Sequence, residues 1–180
     1  MKDINDEQLM IEVKNGDTDS LVPLFEKYNV KLYNFFLRVT HNKDTSEDLV
    51  QTVFSRILSY RHSYNEIYTF KTWMYQMARN VHIDYYNKNR YCVSDYKEPE
   101  ETKSEARDAI EEMEKQQRQQ TLKEALEQLP MDQREIIELS RFQDLKYEEI
   151  SKITGNSVGA VRVKVHRAIK KLKEVYLQIA

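Results

Sequence analysis

The stretch from Gln143 to Ala180, QDLKYEEISKITGNSVGAVRVKVHRAIKKLKEVYLQIA, decides the reading of this chain. It predicts a short helix, a tight turn and a longer helix. Ile150 and Ile153 give the first helix an apolar edge, and Gly155-Asn156 breaks it. Ser157 is placed to cap the second helix by accepting from its unpaired backbone N–H groups. Val158, Val161, Val165, Ala168, Leu172 and Val175 follow at three- and four-residue steps, so they share one buried face. The opposite face carries Arg162, Lys164, Arg167, Lys170, Lys171 and Lys173, with no acid before Glu174. This is the pattern of a helix-turn-helix that enters a major groove. Gly159 and Ala160 cost helix stability but let the backbone approach base edges, and Val163 is placed to meet a thymine methyl. A basic face can also be mere solvated surface. The turn length, the unmixed charge and the small first-turn residues favour DNA.

The rest of the chain bounds the class. With 40% hydrophobic and 32% charged residues but only three Gly and three Pro among 180, the composition suits an all-α protein. No apolar run approaches a membrane span and the polar N-terminus has no secretory core, so a cytoplasmic protein is expected. The single cysteine, Cys92, excludes an internal disulfide and a cysteine zinc site. The net charge of −2 is segregated: Asp95 to Lys115 is acidic, and the last helix is basic. Because a DNA surface is felt within about 8–10 Å, the local face matters more than the sum.

In the front half, residues 4–15 read as a short amphipathic helix stopped by Gly16, with Leu9, Met10 and Val13 inward. A second helix is expected over Ser20–Val39, with Pro23 tolerable only in its first turn. Thr45 and Asp48 form a capping-box-like start to a third, whose stripe is Leu49, Val50, Val53, Phe54, Ile57 and Leu58. An aromatic loop follows, with Tyr60, His62, Tyr64 and Tyr68, and then a helix capped by Thr69 and running to about Arg90. Phe70, Trp73, Met74, Met77 and Val81 face inward on it. Lys71, Tyr75, Arg79, His82, Tyr86 and Arg90 form another stripe. Cations interleaved with rings suit single-stranded nucleic acid, each stacked base contributing roughly 1–3 kcal/mol. An ordinary solvated face reads equally well at this point.

From Tyr91 to about Gln119 the apolar pattern collapses, giving an acidic flexible linker in which Ala106–Gln120 has the composition of a fraying helix. The rear half opens near Thr121. Leu122, Ala125, Leu126 and Leu129 make a helix ended by Pro130, and Asp132–Phe142 makes another. The expected division is 1–91, 92–119 and 120–180. There is no phosphate-binding glycine loop, nucleophile elbow or metal spacing, and the four histidines are scattered. Nothing points to an enzyme or to a cofactor.

Taken in order, TSEDLVQTVFSRIL, TFKTWMYQMARNVHIDYYNKNR, an acidic linker and LEQLPMDQREIIELSRFQDLKYEEISKITGNSVGAVRVKVHRAIKKL resemble an extracytoplasmic-function sigma factor of bacterial RNA polymerase. The resemblance covers nearly the whole chain. It implies two small helical domains, region two and region four, joined by the linker. It also implies binding to the polymerase core through the β′ coiled coil and the β subunit, to promoter DNA, and to an anti-sigma factor, with no membrane insertion.

Asp48 and Gln51 match the family's β′-contact positions, whereas Thr52 stands where an acid is common. The FKTWMYQMARN segment and the loop before it match the part that opens the −10 element and holds an extruded base. The resemblance therefore assigns Tyr64, Lys71, Trp73, Tyr75, Arg79, Asn80, His82 and Arg90 to that task. The last helix corresponds to the −35 reader, with Ser157, Gly159, Ala160, Arg162, Val163, Lys164 and Arg167 at the DNA. Lys146 replaces a usual Ser or Thr cap, and Ser151 a small apolar residue. The competing readings are a conventional helix-turn-helix regulator with an N-terminal sensing or oligomerisation domain, and a helical adaptor without a DNA role.

Overall fold

The computed structural model describes residues 5–89 and 109–180, with side chains described over 5–89 and 116–180. Arg90, Cys92 and the acidic stretch up to residue 108 lie outside them. Among the described residues there are eight α-helices and no strand. The front four are α1 (Asp6–Lys14), α2 (Leu21–Thr40), α3 (Lys43–Ser59) and α4 (Phe70–Asn89). The rear four are α5 (Ala109–Glu127), α6 (Met131–Ile137), α7 (Tyr147–Thr154) and α8 (Val158–Ile179). The architecture is all-α in two helical domains.

Local chemistry sets the ends of the front helices. Asn5 caps α1 by accepting from the Glu7 N–H, and Gly16 at φ +112° takes the positive angle that ends the run. Pro23 sits in the first turn of α2, where no intrahelical donor is lost. The start of α3 differs from the expected capping box at Thr45 and Asp48. Asn42 is the cap, its Oδ1 accepting from the Thr45 N–H at 2.8 Å. Thr45 is thus the donor in the first turn, not the cap. Thr69 does head α4, its hydroxyl accepting from the Thr72 N–H at 3.2 Å, while Glu7 accepts from the Phe70 N–H at 3.1 Å.

These four helices close on Leu24, Leu32, Phe35, Phe36, Ile57, Phe70 and Met74, all fully buried. Phe35 meets Phe36 and Tyr75 edge-on at 5.2 and 5.6 Å. Each such side chain contributes roughly 1.5–3 kcal/mol by leaving water.

In the rear half, α5 is one helix from Ala109, so it takes in the end of the stretch read as linker. The expected Asp132–Phe142 helix is α6 followed by a π-helical turn, Glu138–Phe142. At Lys146 the missing Ser or Thr cap is replaced from the other side: Glu149 Oε2 accepts from the Lys146 N–H at 2.9 Å. The helix-turn-helix is α7, Gly155 in the left-handed region at φ +71°, and α8, capped by Ser157 accepting from the Ala160 N–H at 3.2 Å. Ser151 of α7 donates to the Asn156 carbonyl at 2.6 Å and ties the turn shut.

The two halves pack together. Helix α7 lies along α4, and α6 with its π turn lies against α2.

Candidate nucleic-acid and partner surfaces

Helix α8 buries Val161, Val165, Ala168 and Val175 against its own half, leaving Val158 and Leu172 half-buried. Ser157, Gly159, Arg162, Val163, Lys164 and Arg167 are exposed, and Ala160 is half-buried. A Cβ added at Gly159 would meet nothing within 4 Å, so the first turn presents bare backbone outward. Lys164 donates to Asn156 Oδ1 at 3.1 Å, which keeps its ammonium over the turn. Along this face the ion pairing is weak: Lys171 reaches Glu174 only at 4.0 Å, with both groups half in water. The face offers unneutralised cations, a capped N-terminus and a valine 47% exposed, the groups that phosphates and base edges need.

The α4 stripe is placed differently. Tyr75 is fully buried and His82 is 2% exposed, while Lys71 and Arg79 are half-buried. The residues covering them come from the rear half. Tyr75 donates its phenol proton to the Gln143 side-chain carbonyl, and Lys71 Nζ donates to the Gln143 backbone carbonyl at 2.6 Å. Arg79 Nε donates to Glu135 Oε2 at 3.1 Å. Further along, Thr72 donates to Glu149 Oε1 at 3.1 Å. So the expected solvent-facing stripe is an interface in this arrangement. Asn80 is exposed, Trp73 is half-buried edge-on to Tyr64 at 5.3 Å, and Tyr86 is exposed.

Burial dominates the titration of these groups. It pushes the Tyr75 phenol up and the Lys71 ammonium down. His82 falls to about 4, first through burial and then through the Arg134 and Arg79 charges. Glu135 and Glu138 are pushed up by burial, and the Arg79 and Arg38 guanidinium groups pull each back in part.

The loop before α4 does not present all its rings. Tyr64 is 1% exposed, its hydroxyl donating to the Tyr68 carbonyl at 3.1 Å, so it holds the loop instead of facing out. Tyr60 and Tyr68 are exposed, and Ile67, which the sequence reading passed over, is 75% exposed at the tip. Lys14, Ser63, Asn65, Glu66 and Ile67 surround a wide open depression of about 720 Å³ over Tyr64. An isoleucine inside a polar loop was the available signal.

On α3, Asp48 and Gln51 are exposed, whereas Thr52 is half-buried and donates to the Asp48 carbonyl at 2.8 Å. Beside them lies an apolar face on α2: Val22, Phe25 and Val30 are 55, 41 and 63% exposed. A groove of about 310 Å³ runs between Phe25, Asn29, Val30 and Tyr33 of α2 and Glu47, Val50 and Gln51 of α3. Val22 and Val30 stand off the buried stripe of α2, which marks a second apolar face.

Among the described residues no cluster of His, Cys, Asp and Glu is fit to hold a metal, and no helix is long and apolar enough to cross a membrane.

Two family profiles match in chain order: Sigma-70 region 2 over residues 24–91 and Sigma-70 region 4 over residues 119–172. RNA polymerase sigma factor CarQ of Myxococcus xanthus is 31% identical over 166 residues, covering 92% of this chain and 94% of its own length. RNA polymerase sigma factor YlaC of Bacillus subtilis is 29% identical, covering 87% and 91%. Among solved structures, CnrH in complex with the cytosolic domain of CnrY shares this fold with a TM-score of 0.71 at 20% identity, covering 94% of this chain and 96% of that one. RpoE of Bartonella quintana, in complex with the anti-sigma factor NepR, does so with 0.67 at 23% identity, covering 85% and 94%. Both helical halves match in order, and the likeness runs along nearly the whole length: the protein belongs to the extracytoplasmic-function sigma factors, promoter-specificity subunits of bacterial RNA polymerase.

Proposed function

We propose that this sigma subunit divides its work among three surfaces. The α2–α3 face, with Asp48, Gln51 and the apolar groove beside them, docks on the β′ coiled coil of core polymerase. The first turns of α8 read the −35 element through Ser157, Gly159, Ala160, Arg162, Val163, Lys164 and Arg167. Helix α4 and its preceding loop open the −10 element, with Lys71, Trp73, Arg79 and Asn80 along the strand and the depression over Tyr64 receiving an extruded base. Tyr75 and His82 join that surface only when the rear half moves off α4, and Arg90 extends it beyond the described residues. Residues 1–91 and 120–180 are the working domains, and 92–119 connects them.

The chain does no covalent chemistry itself. It acts in the cytoplasm with polymerase, and an anti-sigma factor is its expected regulator, since one structural neighbour is a sigma factor in complex with the anti-sigma factor NepR.

The observation that carries the reading is α8: a capped, small-residue first turn leading into a basic exposed face, standing beyond a left-handed glycine. The test is run-off transcription with purified bacterial core polymerase, this protein and a pool of genomic fragments. Discrete new transcripts sharing two upstream elements are expected. Asp48→Ala with Gln51→Ala should weaken core binding roughly tenfold, at about 1.4 kcal/mol. Duplex binding without core polymerase, and no transcripts with it, would instead favour a conventional regulator.

A further inference from the structure

Residues 65–69 are all exposed and lie between two buried rings, Tyr64 and Phe70. Asn65, Glu66 and Ile67 of this loop rim the depression over Tyr64. Two bonds inside the loop shape its tip. Tyr64 donates its phenol proton to the Tyr68 carbonyl at 3.1 Å, and Asn65 Oδ1 accepts from the Ile67 N–H at 3.1 Å. Neither fixes the tip relative to the bundle. Two bonds from α1 do so. Lys14 Nζ donates to the Tyr64 backbone carbonyl at 2.7 Å, and Glu7 accepts from the Phe70 N–H at 3.1 Å. The chain therefore enters and leaves the loop through backbone groups that α1 holds. Glu7 and Lys14 stand about two helical turns apart, so one face of α1 supplies both bonds. Each bond has one ionised partner, which makes it stronger than a neutral amide pair. The helix is itself anchored. Leu9, Met10 and Val13 are buried, and Asp6 accepts from Lys27 Nζ at 2.7 Å and from the Tyr28 phenol.

We propose that α1 positions the base-capture loop: Lys14 and Glu7 hold its two ends, so that the depression has its shape before a base is extruded into it. A loop already held in its working form does not have to be ordered at the moment of capture, and this favours the open promoter over the closed one. Both are positioning residues, acting through the backbone of Tyr64 and Phe70. The inference rests on the reading that the depression receives an extruded base.

The test compares variants that lose a bond with variants that keep it. Lys14→Met and Glu7→Ala lose it. Lys14→Arg keeps a cationic donor, and Glu7→Gln keeps an acceptor while dropping the charge. In the free full-length chain, hydrogen exchange should quicken several-fold at the Ile67 and Tyr68 amides in the two loss variants, with the interior amides of α3 and α4 unchanged. In holoenzyme on a promoter found by the run-off experiment, permanganate reactivity of the −10 thymines should fall roughly tenfold for Lys14→Met. Core binding and closed-complex affinity should hold. Lys14→Arg and Glu7→Gln should behave as the unaltered chain, whereas a purely electrostatic role would make Glu7→Gln bind DNA more tightly.

Equal loss of core binding and promoter opening would mean that α1 only maintains the fold, and the proposal falls. It falls too if loop exchange is unchanged, or if a loosened loop opens promoters normally. Glu66→Ala with Ile67→Ala, which strips the tip, separates these failures from that of the parent reading. If opening drops in that variant but not in the α1 variants, the depression keeps its role and the positioning is lost. If opening is indifferent to the stripped tip, the depression takes no base and both readings fall.

Discussion

Helices α8 and α4 are both basic and both assigned to DNA, yet their cations stand in opposite conditions. Arg162 and Arg167 of α8 are exposed, while Arg79 and Lys71 of α4 are half-buried and held by a carboxylate and a carbonyl of the other half. The difference is not in the helices' own patterns, since each shows charge at three- and four-residue steps. It arises from what packs on the second face. Helix α8 uses its apolar stripe for its own domain and leaves the other side to solvent. Helix α4 is covered twice, by its own bundle and by α7 together with Glu135 and Gln143. On the proposed assignment, this arrangement leaves one promoter reader available and one withheld.

The largest expected effect bears on the available helix. Arg162→Ala with Lys164→Ala should lower promoter-directed transcription by tenfold to a hundredfold, since a base-reading contact is worth about 1–3 kcal/mol and a phosphate contact adds to it. Core-polymerase affinity should be unchanged, because neither residue touches the α2–α3 face. Equal loss of core binding would erase the division of labour between the halves.

The withheld helix is tested by Tyr75→Phe. The change leaves the ring in its place against Phe35 but removes the phenol proton that Gln143 accepts. A buried amide oxygen then lacks its donor, at a cost of about 2 kcal/mol in equilibrium denaturation. A cost within about 0.5 kcal/mol of zero would mean that the halves do not stay together in solution, and the contrast with α8 would lapse.

Acid probes the same junction. His82 has a native pKa of about 4 against 6.5 for the ordinary group, so the unfolded chain takes up its proton first as pH falls. The native form binds fewer protons in that window, and stability is lost as pH drops from 6.5 toward 4. Glu135 and Glu138, pushed up by burial, work the other way, because their native forms gain protons first. His82 on its own contributes a loss of about 1–2 kcal/mol between about pH 7 and pH 5. His82→Leu should flatten that slope when denaturant midpoints are compared at the two pH values. An unchanged slope would place the histidine in water, with α4 uncovered there.

The same contrast explains what the sequence could disclose. Helix α8 was legible because each of its features is local: Gly155 for the positive φ, Ser157 for the cap, and valines at helical steps. The covered stripe was not, since spacing puts Lys71, Tyr75 and Arg79 on one face without saying whether water or another domain meets it. Tyr64 misled for a related reason: a tyrosine in a polar loop reads as exposed, but its body packs on Trp73 and only its hydroxyl finds a carbonyl. The start of α3 was misplaced because Thr45 and Asp48 resemble a capping box, whereas Asn42 is an equally good cap three residues earlier. Core-facing positions such as Leu49, Val53 and Ile57 followed directly from period.

The smallest effect lies in the turn that aims α8. Ser151 lies in α7 just before the turn, and its hydroxyl donates to the Asn156 carbonyl beyond the glycine. Ser151→Ala leaves that carbonyl to the solvent at the turn. Because the group is only half-buried, the expected cost is at most about 1 kcal/mol, with a few degrees taken from the melting temperature. Promoter binding should fall less than threefold, since Gly155 and the Ser157 cap still set the path of α8. A much larger loss of binding at unchanged stability would show that the serine aims the reading helix directly, and that α8 is available only while its turn is clasped.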